Sequence, residues 1–276
     1  MRYLIVSVLI SLILLTACAP ARQKLSPHGN IALKDANVYY QQKNIERALE
    51  SYQKVLKDNP DHVLALRRVA DINLYYGEQD QSKTIEFNKL AFENYDKAIA
   101  IVESFDNLKE TEQVELRDMR RRRTSAWTRI YSAAEQLQNQ GNTKEAMRGF
   151  QIAIDLDNER FEPLIKLKDI YVKELKDLDK AEKIMLQLYQ KRPKEVMLLL
   201  EIGAFYYDKQ DFSRALDFFQ KASVEAPTDA DILMNISFCY YEMKDFANAL
   251  KNTEKVLVLA PRNLDALRNA RSIALR

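Results

Sequence analysis

The chain has 276 residues, with 42 basic and 40 acidic side chains, a formal net charge of +2, five glycines and seven prolines. So small a net charge does not supply the basic field that nucleic acid demands, and this excludes nucleic acid as the main partner. Two cysteines give no disulfide framework and no metal-type pair, and the scarcity of breakers and of alternating strand patterns predicts an all-α fold.

The first element is an apolar run from Tyr3 to Leu15, after Met1-Arg2, broken only by Ser7 and Ser11. At about 13 residues it is shorter than the roughly 20 needed to span a bilayer, which is the shape of a secretory signal peptide. The four residues Leu15-Thr16-Ala17-Cys18 resemble the bacterial lipobox. That resemblance implies cleavage before Cys18, diacylation of its thiol and acylation of the new amine. Several acyl chains, at about 0.8 kcal/mol per buried methylene, make an anchor that does not readily leave the membrane. A plain signal peptide with an incidental cysteine is the alternative. Ala19 follows the cysteine, not the Asp that resembles an inner-membrane retention signal in enteric bacteria, which favours an outer-membrane, periplasm-facing address. Residues 1–17 are therefore expected to be a lipoprotein signal peptide, and 18–28 the lipidated cysteine and its tether. Of the other residues with site chemistry, Cys239 is expected to be a buried free thiol, with an intermolecular disulfide or redox role as the alternative. His28 and His62 are expected at the surface.

From residue 29 onward a phase of 34 residues recurs, clearest at Pro193, Pro227 and Pro261. Gly203, Tyr206, Ala215, Phe219 and Ala222 precede Pro227 at the offsets at which Ser237, Tyr240, Ala249, Thr253 and Val256 precede Pro261. Small and large residues alternating at helical spacing in such a period resemble the tetratricopeptide (TPR) repeat family. The expected repeats are 29–62, 63–106 with an insertion, 127–160, 161–195 with one extra residue, 196–229 and 230–263, then a solvating cap helix over 264–276. Small residues let the two helices of a repeat approach closely, Gly203 against Ala215 and Ala134 against Ala146, and each proline follows the end of a second helix. Thr228-x-x-Asp231 resembles a capping box. The resemblance implies a right-handed superhelix, an α-solenoid whose first helices line a concave wall.

The phase breaks between 82 and 140, where two helix-compatible stretches, 82–105 and 109–140, are joined by Asp106-Asn107-Leu108. They predict an extended helical hairpin projecting past one edge by roughly 10–20 Å at about 1.5 Å per residue. The long helix 109–140 carries Arg120, Arg121, Arg122 and Arg123, which point around much of its circumference. This collar is either a solvated face paired with Glu112, Glu115 and Asp118, or a contact for an acidic partner, anionic lipid or cell-wall polymer.

The residues placed by repeat position on the concave wall include Leu33, Asn37, Tyr40, Arg67, Asp71, Tyr75, Tyr131, Glu135, Gln138, Ile165 and Asp169. Leu200, Ala204, Tyr207, Met234, Phe238 and Tyr241 follow. Tyr40, Tyr75, Tyr131, Leu200, Tyr207, Met234, Phe238 and Tyr241 are the candidate partner contacts, since aromatic and apolar side chains bind extended or helical peptides well. The alternative is that the tyrosines only pack against neighbouring helices. Some arrays of this family clamp a carboxyl terminus with Lys and Asn. Here Leu33 and Thr128 replace the lysines although Asn37 and Arg68 remain, so chaperone-tail binding is not expected. No glycine-rich phosphate loop, metal cluster or nucleophile with a placed base appears, so no catalysis and no cofactor is expected. The expected role is a membrane-anchored scaffold or adaptor binding an envelope protein or peptide in its groove. In plan the chain is also similar to pilotin lipoproteins of pilus and secretin assembly, and a self-assembling structural or ligand-binding lipoprotein is a further alternative. The sequence leaves the oligomeric state open.

Overall fold

The computed structural model describes residues 24–275, so Cys18 and the expected signal peptide lie outside the described residues. Every regular element among the described residues is helical. The chain divides into two compact units, Met1–Pro163 and Leu164–Arg276. In the first stand α1 (Pro27–Gln41), α2 (Ile45–Asp58), α3 (Val63–Gln79), α4 (Thr84–Glu103), α5 (Glu110–Asn139) and α6 (Thr143–Leu156). In the second, α7 (Glu162–Asp169) and α8 (Leu178–Lys191) are followed by the regular pairs α9 (Val196–Asp208) with α10 (Phe212–Glu225) and α11 (Ala230–Glu242) with α12 (Phe246–Leu259). The chain then continues into α13 (Leu264–Ala274). Each unit is a stack of helix–turn–helix pairs of the α-solenoid kind.

The second helices bury one stripe: Ala48, Tyr52 and Val55 in α2, Ala215, Phe219 and Ala222 in α10. These spacings of three and four residues put the side chains on one face, and burying them is what a lone pair of helices cannot do. Between the two helices of a pair the chain repeats one device. A residue with positive φ (Lys43, Gly141, Lys176, Gln210, Lys244) is followed by Asn44, Asn142, Asp177, Asp211 or Asp245 at the N-cap. Asp177, Asp211 and Asp245 accept the backbone N–H three residues on, at 3.0–3.1 Å. A cap contributes about 1 kcal/mol, which offsets a left-handed non-glycine residue costing about 1–2 kcal/mol.

Close helix crossings differ in detail from expectation. A Cβ on Gly203 would lie 2.5 Å from the Phe219 ring, so the glycine makes room for that ring. Ala134 meets Gly149, where an added Cβ would come within 2.7 Å of its own Cβ. One repeat later Ser237 and Thr253 stand in the places of Gly203 and Phe219, and the two hydroxyls are 2.7 Å apart and buried. Asn269 of α13 donates to both, at 3.0 and 3.1 Å. The extra residue in 161–195 is absorbed by a π-helical turn over Ile170–Leu175 that closes α7.

Five other expectations are corrected. The hairpin helices have 20 and 30 residues, yet Ile99, Ile101 and Val102 of α4 and Leu116 and Met119 of α5 are buried, and Phe105 and Leu108 pack on the same cluster. The tip is therefore seated in the core, because α3 lies against it, and the exposed end shortens to the first turn and a half of α5. The tether ends early: Ser26 N–H donates to Asp58 at 2.8 Å, Asn59 donates to the Lys24 carbonyl at 2.9 Å, and α1 begins at Pro27. His62 is buried, not at the surface, because its Nδ1 caps α3 by accepting the Ala65 N–H at 3.3 Å. Asp229, not Thr228, caps α11, accepting from Asp231 and Ile232. The end helix α13 is also less polar than a solvating cap: Leu264, Leu267 and Leu275 are exposed.

Candidate functional site

Two of the cavities on the first helices of the pairs, one in each unit, bring expected contact residues together. In the second unit a cavity of about 540 Å³ lies over α7, α9 and α11, with Ile165, Leu198, Leu200, Ala204 and Asn235 in its wall. Its buried charge is Lys168, whose side chain is 8% exposed and whose Nζ lies 2.5 Å from Glu201 Oε1 and 3.4 Å from Asp169 Oδ1. Two carboxylates make that burial tolerable, and the surrounding apolar wall would receive a hydrophobic side chain.

In the first unit a cavity of about 450 Å³ lies between α3 and α5, lined by Asp71, Tyr75 and Glu78 on one side and Arg121, Arg122 and Arg129 on the other. Tyr75, expected on the partner wall, and half of the arginine collar thus meet in one place. The collar splits by helical geometry. Arg120 and Arg123 turn to α4, reaching Glu103 at 2.6 Å and Asp96 at 2.5 Å. Arg121 and Arg122 turn to α3 and share Asp118, at 2.6 and 2.9 Å, and Arg122 also lies 3.4 Å from Asp71. All four guanidiniums therefore have carboxylates of the same chain beside them. Burial by itself would push the Asp118 carboxyl up, but hydrogen bonds from Arg121 and Arg122 outweigh it and hold the group below the usual carboxylate range. Tyr95, wholly buried on α4, donates to Asp71 at 2.5 Å, and desolvation with that neighbouring charge raises its phenol well above normal.

The other expected contacts do different things. Leu200 lines the cavity of the second unit, and Phe238 is exposed on α11. Met234 is 6% exposed and packs in the core with Leu233 and Val256, so it presents no surface to a partner. Tyr207 and Tyr241 each meet, edge to face, the phenylalanine that opens the next helix, Phe212 at 5.2 Å and Phe246 at 5.6 Å. Tyr131 stacks on Trp127 at 5.5 Å, and burial pushes its phenol up to about 12. Tyr40 packs on Tyr52 and under Arg68, while Asn37 accepts the Tyr52 hydroxyl at 2.8 Å, so the residual clamp residues are used internally. Cys239 is buried, and desolvation pushes its thiol up to about 12, which makes it a poor nucleophile. Among the described residues no group of three or more His, Cys, Asp or Glu could hold a metal ion. No described helix is long and apolar enough to cross a membrane.

Sequence reasoning missed Lys168 and Arg129. A usable signal existed for Arg129, which falls eight residues after Arg121 and so on the same face of α5. Lys168 stands between Ile165 and Asp169, both read as wall residues, but nothing in the sequence shows that Glu201 would draw it inward.

The family model described as tetratricopeptide repeat matches residues 36–62. No curated protein matches the chain. Solved structures similar to it include MamA 41-end from Desulfovibrio magneticus, 17% identical over 54% of this chain and 84% of that one, with a TM-score of 0.45. YrrB, a TPR protein with an unusual peptide-binding site, is 19% identical over 81% of this chain and 100% of that one, at 0.43. TTC0263, a thermophilic TPR protein from Thermus thermophilus, is 17% identical over 90% of this chain and 100% of that one, at 0.34. The tetratricopeptide-repeat match thus covers the end of α1 and all of α2, within an all-α array of stacked helical pairs.

Proposed function

We propose that this chain is a non-catalytic scaffold that captures a polypeptide segment on its first-helix faces, held at an envelope membrane by lipid on Cys18. The observation that carries the reading is the cavity over α7, α9 and α11, open to solvent, with an apolar patch of Ile165, Leu198, Leu200 and Ala204 beside one buried, paired lysine and with Arg192 and Glu195 also in its lining. An apolar side chain of the partner would fill the space beside Leu200 and Ala204, and the third ammonium donor of Lys168 would serve a backbone carbonyl. A photocrosslinking side chain at the exposed Ala204, introduced in cells, tests it. A discrete polypeptide adduct that disappears with Leu200→Asp is expected, and adducts indifferent to that substitution would refute capture at this wall. The anchor has its own test: Cys18→Ser is expected to move the protein from the membrane fraction to the soluble fraction.

A second reading has one observation in its favour. Val258, Leu264 and Leu275 are 81%, 66% and 78% exposed at the end formed by α12 and α13, as a surface that stacks on another copy would be. Sedimentation at micromolar concentration decides it, a monomer counting against self-association.

A further inference from the structure

Resting on the capture reading, we propose that the α3/α5 cavity of the first unit receives carboxylate side chains, so that the captured polypeptide carries a run of Asp or Glu. The argument starts from a shortage of acceptors. Around the cavity five guanidiniums, Arg67, Arg68, Arg121, Arg122 and Arg129, meet four carboxylates, Asp71, Glu78, Glu115 and Asp118. Asp118 alone is divided among Arg67 at 3.4 Å, Arg121 at 2.6 Å and Arg122 at 2.9 Å. Asp71 is divided among Arg68, Arg122 and the Tyr95 hydroxyl. A guanidinium offers five N–H donors, so shared acceptors leave donors over. One is visible inside: Arg67 Nε is buried with no acceptor.

Arg121 is where the surplus meets solvent. Its side chain is 76% exposed and holds Asp118 through one nitrogen, while Arg129 pairs with Glu78 at 2.6 Å on the same wall. Neither is long-range surface charge alone. Arg122 is locked from two sides by Asp71 and Asp118, which fixes the wall and removes the cost of ordering it when a ligand arrives. Tyr75, 46% exposed, supplies an aromatic floor beside these donors for the methylenes of a Glu side chain. A carboxylate entering here can take two parallel N–H bonds from the Arg121 guanidinium, the strongest form such a contact has. The occupant is a chain and not a bilayer, because a carboxylate side chain reaches Arg121 at the rim and enters the recess with Tyr75, Arg122 and Arg129, whereas a flat sheet of headgroups meets Arg121 alone.

The test uses the full chain and a short fluorescent peptide alternating Glu with Ala, followed by anisotropy, beside the same peptide with Gln for Glu. The Glu peptide is expected to bind, to weaken with rising ionic strength, and to exceed the Gln peptide by about tenfold or more. Arg121→Glu should weaken it by about tenfold or more, while Arg121→Lys retains part of the affinity. Because Arg121 is so exposed, far-ultraviolet circular dichroism of both variants should match the parent. Leu200→Asp should leave this binding unchanged, so failure of capture in the second unit is told apart from failure here. The proposal is overturned if the Glu peptide does not bind, if Arg121→Glu binds it equally well, or if the chain binds phosphatidylglycerol vesicles through Arg121 and not the peptide.

Discussion

The first-helix walls of the two units are made by the same kind of helix pair and differ in what they present. Between α3 and α5 the wall is ionic, with Arg122 held by Asp71 and Asp118 at 3.4 and 2.9 Å. Over α9 and α11 the wall is apolar, and its single buried cation is balanced by Glu201 and Asp169. The difference teaches that the pair supplies a frame whose stability comes from the stripes facing the other way, such as Ala98 with Tyr95 or Ala215 with Phe219. The wall is then free to vary. Partly exposed ion pairs contribute about 0–1 kcal/mol each, so the arginines set the chemistry of a surface more than the strength of a fold.

The sharpest way to break that contrast is to strike the packing of the ionic unit. Trp127, 3% exposed, donates Nε1–H to the Ala153 carbonyl at 2.8 Å and lies under Arg160. Trp127→Ala should cost about 3–5 kcal/mol in urea unfolding, far more than Arg120→Ala, and a comparable loss from Arg120→Ala would show that ions do carry the frame. Next, Gly203→Val drives a branched side chain into the Phe219 ring and should cost about 1–3 kcal/mol, with amide exchange faster in α9 and α10; an unchanged midpoint would contradict the close crossing. Acid should then loosen the ionic wall. The folded pKa of Asp118 is depressed, so its contribution is complete above the unfolded value of about 4 and is lost as pH falls through the lower folded value. Protection of the amides in the first half of α5, taken as the intrinsic exchange rate over the observed rate at the same pH, should fall on going below about pH 4. The smallest effect belongs to Lys168→Met. Its partner Glu201 is 44% exposed and can turn to water, so stability should stay within about 1 kcal/mol; a large loss would mean that the apolar wall also leans on its ion pair.

Much of the frame was legible because the proline phase and the small–large alternation report burial directly. The turn device was legible too and went unread: Asp177, Asp211 and Asp245 keep the period, each after a residue forced into the left-handed region. The wall was harder to read for a physical reason. Ile232, Leu233, Met234 and Ile236 are all buried, so α11 is apolar on more than one face and a stripe argument cannot say which side Met234 takes. Nor does sequence show that Arg67 would meet Asp118, fifty-one positions away, because pairing of charges depends on which helices stack. Tyr207 and Tyr241 lie on α9 and α11, and nothing in their own helices shows that the phenylalanines opening the next helices would meet their rings edge to face.

At the far end of the second unit, the Ser237–Thr253–Asn269 triad makes α13 choosy. Apolar stacking forgives a slip along the helix axis, whereas three directional contacts in a dry spot accept one amide at one height. A foreign helix laid on α11 and α12 without an amide at that level would forgo two hydrogen bonds, although both hydroxyls would still bond the Ala249 carbonyl. α13 is thereby keyed to α11 and α12 by directed hydrogen bonds as well as by packing.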